Sequence, residues 1–287
     1  MRDFDWKIIS TLHTTKNITK TANLLFITQP SLTKRIQIIE EELQVTLITR
    51  STKGVSFTPE GELIAKRAER ILNMIDEVHQ LIAEMNGGRT GTIHIGAPNS
   101  LVRYLLPEII ENFTIDFPQI KLEITTDLSS ELLKQLENHE LHASFVRGDI
   151  ATRLEKLFIS EEQIYIVSNN PISIEDLPKL RQIDYSKEPT IIRATDKWWR
   201  QHFTTSPDIW MKVNNGQTCL EMIRHNLGYG IFSDHNFFKD EHLYSLPMTF
   251  KDGSKLTRKT WLVYDRENLN NTILRHFVDF IKDNYSV

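Results

Sequence analysis

The stretch QPSLTKRIQIIEEEL, Gln29 to Leu43, restricts the fold of this chain more than any other part of it. At 100° per residue it places Leu32, Ile36, Ile39 and Leu43 on one stripe of a helix. Thr28 is suited to cap the start, and Pro30 falls in the first turn, where a proline sacrifices no helical hydrogen bond. The opposite face near the N-terminus carries Pro30, Ser31, Thr33, Lys34 and Gln37, with Gln29 at the tip. Arg35 lies beside the apolar stripe, from where it reaches sideways. Glu40, Glu41 and Glu42 occupy the far end. The helix therefore needs a partner for one face and leaves a donor-rich tip free.

The neighbouring segments supply that partner. Residues 4–15 set Phe4, Ile8, Ile9 and Leu12 on one face, and NITKTANLL opens on the N-cap residue Asn17 with Ile18, Ala22 and Leu25 in helical register. After the helix, LITRSTKGVSFTPEG alternates and turns at Lys53-Gly54, the pattern of a short β-hairpin. Helix, helix, helix, hairpin is the order of a winged helix-turn-helix over residues 1–58. In such a head the donors of the third helix face a major groove. Lysine pairs with guanine acceptors, glutamine with adenine, and threonine with either. A solvated helix face with ordinary capping is the plainer alternative for the helix taken alone.

Charge is divided along the chain. The whole carries −4, yet residues 1–58 hold eight basic and five acidic residues, a net +3, leaving −7 for the rest. A basic head on an acidic body suits a duplex-binding end, because nucleic-acid backbones are polyanions. The single cysteine, Cys219, permits no internal disulfide. Buried packing explains it better than redox sensing, since no second thiol can resolve an oxidised sulfur. Nothing approaches the ~20 apolar residues that span a bilayer, and MRDFDWKIIS is unlike a secretion signal. A cytoplasmic protein with no membrane partner is expected.

Residues 59–88 form a long linker helix. Thr58 caps it and Pro59, Glu60 and Glu62 fill its first turn. Ile64, Ala68, Ile71, Ile75, Val78, Ile82 and Met85 recur at steps of four and three, a heptad seam suited to dimerisation. Packing of this face on its own domain is the alternative. GGRTG, Gly87 to Gly91, then breaks the helix. Beyond it strands and helices alternate: TIHIGA, a helix SLVRYLLPEIIENFTIDF that tolerates Pro107, IKLEITT, SSELLKQLENHE, HASFV, QIYIVS, TIIRA as a strand, IWMKV, GQTCLEMIRHN, GYGIF, TWLVY and a last helix from Leu269 to Tyr285. The body is thus α/β, with sheets covered by helices.

The residues TANLLFITQPSLTKRIQIIEEELQVTLITRSTKGVSFTPEGE resemble the DNA-binding segment of LysR-type transcriptional regulators. The likeness rests on Ala22, Leu25, Gln29 to Leu32, Ile36, Glu40 to Leu43, Leu47, Arg50, Val55 and Thr58 to Gly61. It continues through the linker, GTIHIGAP, LLPEIIENFTIDFPQIKLEI, SSELLKQLENHELHASFVRG and HNLGYGIF, and is weakest over residues 170–215. The resemblance implies that Gln29, Pro30, Ser31, Thr33 and Lys34 meet DNA at the tip, with Arg35 on a phosphate and Arg50 and Lys53 of the wing on phosphates or the minor groove. Lys34 stands where the family usually has arginine, and Thr21 where alanine is common. Lysine lacks the planar fork, so bidentate guanine readout is less assured.

The same resemblance implies that residues 89–287 fold like a periplasmic solute-binding protein, in two lobes around a ligand cleft. Lobe I is expected at 92–160 with 267–287, and lobe II at 163–265. A small anionic effector, held where strands end and helices begin, would touch Asn99, Ser100, Arg147, Thr195, Gln217 and Thr218. Each also has a structural explanation, as a cap or a salt bridge. Trp198, Trp199 and Phe203 suit core packing better than a pocket wall. The implied partners are double-stranded DNA, a second copy as homodimer and then homotetramer, and RNA polymerase. No cofactor and no metal is expected. His139 and His142 read as a surface feature rather than a metal site. GGRTG lacks the Lys-Ser/Thr of a phosphate loop, and HExxH, GxSxG and CxxC are missing, so no catalytic residues are expected. A cytoplasmic solute-binding protein, or an enzyme on that fold, is the alternative function.

Overall fold

The computed structural model describes the chain except residues 52, 53, 86–89, 186, 187, 240, 241 and 287. The chain divides into two compact units, residues 1–90 with 138–140, and residues 91–137 with 141–287.

The first unit holds α1 (Asp3–Thr15), α2 (Ile18–Leu24), α3 (Gln29–Leu43), the strands β1 (Ile48–Ser51) and β2 (Gly54–Phe57), and α4 (Pro59–Met85). The strands pair antiparallel with Arg50 opposite Val55. Asn17 caps α2 by accepting from the Lys20 amide at 2.9 Å, and Thr28 caps α3 by accepting from the Ser31 amide at 3.3 Å. The stripe of α3 is closed away: Leu32, Ile36 and Ile39 are at most 2% exposed and join Ile8, Ile9, Leu12 and Ala22 in one core. Ala65 and Ala68 of α4 belong to that core too. The α4 seam is therefore shared. Its front packs on its own domain, whereas Met74, Val78 and Ile82 are more than half exposed.

The second unit contains two lobes. The first is a five-stranded sheet in the order β4-β3-β5-β12-β6. Strands β3 (Gly91–Ala97), β4 (Ile120–Thr126) and β5 (Ala143–Arg147) run parallel, while β12 (Thr257–Tyr264) is antiparallel to both β5 and β6 (Glu155–Gln163). Helices α5 (Asn99–Tyr104), α6 (Leu106–Asp116), α7 (Ser129–Glu137) and α10 (Thr272–Tyr285) belong to this lobe, with Ile95, Phe113, Phe145, Leu262 and Phe277 in its main core. The second lobe joins β10-β7-β11 (β7 Tyr165–Ser168, β10 Gly230–Phe232, β11 Tyr244–Pro247) with the parallel pair β8 (Arg181–Asp184) and β9 (Asp208–Lys212). Helices α8 (Pro189–His202) and α9 (Gly216–Arg224) complete it.

Three elements differ from the sequence expectation. The helix expected to run through Pro107 is two helices, broken at Leu105, with Pro107 in the first turn of α6. A proline in a helix interior removes one hydrogen bond and clashes with the preceding turn, so restarting is favoured. TIIRA is the start of α8, not a strand. Pro189 suits its first position, and burial of Ile191, Trp198 and Trp199 follows helical spacing. TWLVY lies in β12 of the first sheet, with Leu262 opposite both Phe145 and Leu157. The chain thus re-enters lobe I at Thr257 rather than after Asp265.

Candidate functional site

The tip of α3 is the exposed, donor-rich end that its residue types suggest. Gln29, Pro30, Ser31 and Lys34 are exposed and Thr33 is half-buried. The tip is braced from below. Thr19 Oγ1 donates to Gln29 Oε1 at 3.2 Å, and the Thr28 and Ser31 hydroxyls lie 2.8 Å apart. At the opposite end Glu40 Oε1 accepts from the amides of Leu47 and Ile48 at 2.7 and 3.3 Å, which ties α3 to the entry of the wing. Thr21 is fully buried, with its hydroxyl donating to the Asn17 carbonyl at 2.8 Å and 2.6 Å from the Thr15 hydroxyl.

Arg35 is not free for a phosphate. Its Nε and Nη2 donate to Asp5 Oδ1 and Oδ2 at 2.5 and 2.6 Å, and Asp5 is fully buried. Burial acts to raise the Asp5 carboxyl, but the Arg35 guanidinium and the Arg2 amide more than offset it and hold the group below the usual carboxylate range. Arg35 is a strut between α3 and α1. The Arg50 side chain and Lys53 lie outside the described residues.

In the second unit a cavity of about 530 Å³ opens between the lobes. It is lined on one side by Pro98, Asn99, Ser100, Arg103 and residues 126–128, and on the other by Tyr185, Glu188, Ile191, residues 214–217, Ile231, Ser233 and Phe237, with Arg258 at the start of β12. The sheet edge where β3 ends and α5 begins supplies Asn99 and Ser100, and the start of α9 supplies Gly216 and Gln217. Arg103 Nη1 donates to Gln217 Oε1 at 2.7 Å across the opening, and its guanidinium also lies over the Tyr104 ring. The volume falls in the range of small-molecule pockets.

Of the six ligand-binding residues expected from sequence, the structure gathers Asn99, Ser100 and Gln217 in this cavity. The other three are placed elsewhere. Arg147 is fully buried behind the wall as a latch. It donates to Ser100 Oγ at 3.1 Å, to Asp234 Oδ2 at 3.3 Å, to the Ser233 carbonyl at 2.7 Å and to Glu162. Burial raises the Glu162 carboxyl against the pull of Arg147. Thr195, expected just past a strand, sits inside α8 and returns its hydroxyl to the Ile191 and Ile192 carbonyls, both at 3.0 Å. Thr218 is in the first turn of α9, where its amide donates to the capping Asn215 side chain at 2.9 Å.

Sequence reading missed Tyr185, Glu188, Ser233 and Arg258. In TRKTWLVY the adjacent Arg258 and Lys259 look equally like surface charges, and only the alternation of a strand separates them. Trp198 and Trp199 are core residues, 0% and 6% exposed, whose Nε1 atoms donate to the Thr249 and Thr205 carbonyls, both at 2.6 Å. Cys219 is fully buried, and burial pushes its thiol up to about 12. His142 is buried rather than on the surface. It accepts from the His94 amide at 2.9 Å, and burial lowers it to about 4. Among the described residues there is no His, Cys, Asp and Glu cluster able to hold a metal. Nor is any helix long and apolar enough to cross a membrane.

Comparison with known proteins covers both units. Residues 5–62 match the family of bacterial regulatory helix-turn-helix proteins of the lysR type, and residues 86–286 match the LysR substrate binding domain. Bacillus subtilis YraN, an uncharacterized HTH-type transcriptional regulator, is 31% identical over 98% of both chains. The fold is shared with CbnR, whose full-length crystal structure in complex with target DNA superposes with a TM-score of 0.74 over 99% of each chain at 17% identity. Full-length OxyR from Pseudomonas aeruginosa gives 0.69 over 98% of this chain and 95% of that one, also at 17%.

Proposed function

The chain belongs to the LysR family of transcriptional regulators, a DNA-binding head joined to an effector-binding domain, and from that premise we propose which residues perform each task. Gln29, Pro30, Ser31, Thr33 and Lys34 contact DNA, with Lys34 reading a base edge. The observation that carries this is the exposed, donor-dense tip of α3 held on a rigid support of buried Leu32, Ile36 and Ile39. Base edges in the major groove are read by such side chains, and phosphate contacts set the register. Arg50 and Lys53 of the wing serve the backbone. Arg35 acts indirectly, by fixing α3 on α1 through Asp5.

The exposed stripe Met74, Val78 and Ile82 of α4 supports a homodimer through this helix, which would present two α3 tips to successive major grooves about 34 Å apart. CbnR bound to its target DNA supports the same arrangement by analogy of fold. A tetramer of two such dimers, contact with RNA polymerase and a cytoplasmic site of action complete the reading. In the cleft, Asn99, Ser100 and Gln217 bind a small effector. The effector acts by favouring one arrangement of the lobes, which requires unequal affinity for the two states. We assign ligand binding rather than catalysis to this cavity.

Electrophoretic mobility shift against the DNA upstream of the protein's own gene tests the head. Wild type is expected to bind, and Lys34→Ala to lose about 1–3 kcal/mol of discrimination at one base position. A Lys34→Ala protein that discriminates single-base variants as wild type does would remove Lys34 from base readout. Failure of wild type to bind any DNA, with or without small acids, would favour a solute-binding protein instead.

A further inference from the structure

Three arginines stand in or behind the cleft, and they are not equivalent. Arg147 is held by Ser100, Asp234, Glu162 and the Ser233 carbonyl. Arg103 is exposed, bonded to Gln217 and laid over Tyr104. Arg258 is 8% exposed and makes one side-chain hydrogen bond among the described residues, from Nη1 to Ser233 Oγ at 3.0 Å. Its Nε and Nη2 are buried with no partner. Those two atoms are the adjacent donors on one edge of the guanidinium, the edge that grips a flat two-oxygen group with two parallel hydrogen bonds. Arg35 shows the completed form of that grip in the same chain, with Nε and Nη2 on the two oxygens of Asp5.

Strand alternation sends Arg258 to the face opposite Thr257 and Lys259, toward Ser233 and the interlobe cavity. Glu188 also lines the cavity, but its Oε1 accepts from the Ser129 amide at 2.6 Å and makes no bond to Arg258. Burial and the nearby Arg147 lower Arg258 to about 10, despite the pull of Glu188 and Glu162, so the nearby carboxylates do not fully compensate the cation. Buried charges are normally paired, and a buried donor without a partner is costly. The apolar part of the lining, from Leu128, Ile191, Ile231 and Phe237, suits a hydrocarbon body.

We propose that the effector is a small carboxylate with an apolar body, and that Arg258 recognises its carboxylate through the free Nε–Nη2 edge. The proposal rests on the cleft being the effector site. Because the two donors are buried in the ligand-free molecule, the carboxylate reaches them by displacing the side chains that cover them. Inorganic phosphate offers the same oxygens without the flat shape or the body, and serves as the competing oxyanion.

Isothermal titration of the full chain with hexanoate, phenylacetate, hexanamide and inorganic phosphate tests this. At least one of the two carboxylates is expected to bind, hexanoate about tenfold or more tighter than hexanamide if it is the one, and phosphate weakly. Arg258→Met should abolish that binding, and Arg258→Lys, which keeps the charge but not the edge, should weaken it. The hexanoate–hexanamide comparison reads the charge on wild type, independent of how well a variant folds. Silence from both carboxylates, equal binding of acid and amide, phosphate binding as tight as either carboxylate, or undiminished binding by Arg258→Met each overturns the proposal. Arg258-dependent binding that leaves operator affinity unmoved keeps the charge assignment and removes regulation from the cleft. An operator response to hexanamide as strong as to hexanoate overturns the assignment and leaves the regulatory reading standing.

Discussion

Asp5 and Arg35 join the first and third helices of the head through a two-pronged ion pair whose acid is fully buried. Breaking a buried pair leaves an uncompensated charge, so Arg35→Ala should cost the head about 3 kcal/mol at pH 7. The pH dependence has a defined sign. Asp5 titrates below its ordinary value in the folded head, so its stabilisation is present above that ordinary value, near pH 4, and is lost as pH falls through the folded value. Without Arg35, burial favours the neutral acid, and the penalty of Arg35→Ala should shrink on acidification toward pH 4. Calorimetric unfolding of both proteins between pH 7 and pH 4 checks this; a penalty that grows toward pH 4 contradicts it. A second residue carries strain without packing. Phe26 has φ +54° in the turn before α3, yet is 95% exposed. The left-handed region is unfavourable for a side chain of this type, while asparagine tolerates it. Phe26→Asn is expected to stabilise the head by about 1 kcal/mol in thermal unfolding. Loss of stability would show that the ring packs usefully where it stands.

At the level of elements, the join between wing and linker helix depends on one glycine. A Cβ on Gly61 would lie 2.1 Å from the Leu47 carbonyl oxygen and 3.1 Å from the Phe57 ring. The first turn of α4 is therefore pressed against the entry to the hairpin, and Thr58 closes the corner by accepting from the Gly61 amide at 2.9 Å. Gly61→Ala should destabilise the head by about 1–3 kcal/mol and weaken operator binding, because the wing must move away from α4. Denaturant unfolding together with a gel shift measures both, and a neutral alanine would refute the close approach. The elements of the head were legible because their signals are local: the stripe Leu32, Ile36, Ile39, the caps Asn17 and Thr28, and the alternation of the hairpin. Element type failed where a local preference competed with a longer pattern. TIIRA is rich in strand-forming residues, but Pro189 and the buried Ile191, Trp198 and Trp199 make it the front of a helix. Pro107 was legible as a disturbance, though not as the restart of a second helix.

For the whole molecule, what stayed hidden was long-range pairing. Strand β12 belongs to the first sheet because its two neighbours, β5 and β6, come from about a hundred residues earlier, a relation that no local pattern encodes. The same gap explains why Arg147 was read as a ligand contact and Arg258 was not read at all. A basic residue at a strand end looks available until its tertiary partners are known. Arg147 reaches from β5 of the first sheet to Ser233 and Asp234 beyond β10 of the second, so it fastens the two lobes together. Arg147→Met would leave Asp234 and Glu162 without their guanidinium and should lower the stability of the effector domain by about 3–5 kcal/mol. Glu162 already titrates above its ordinary value through burial. Removing Arg147 raises it further, so the folded variant binds a proton more readily than its unfolded chain. Stability of the variant relative to wild type should accordingly recover as pH falls from 8 toward 5. Glu162→Gln placed on Arg147→Met should restore part of the loss at pH 8 and flatten that recovery. Thermal unfolding of the single and double variants across this range measures the coupling. A double variant no more stable than the single one at pH 8 would show that Glu162 is not what the latch neutralises.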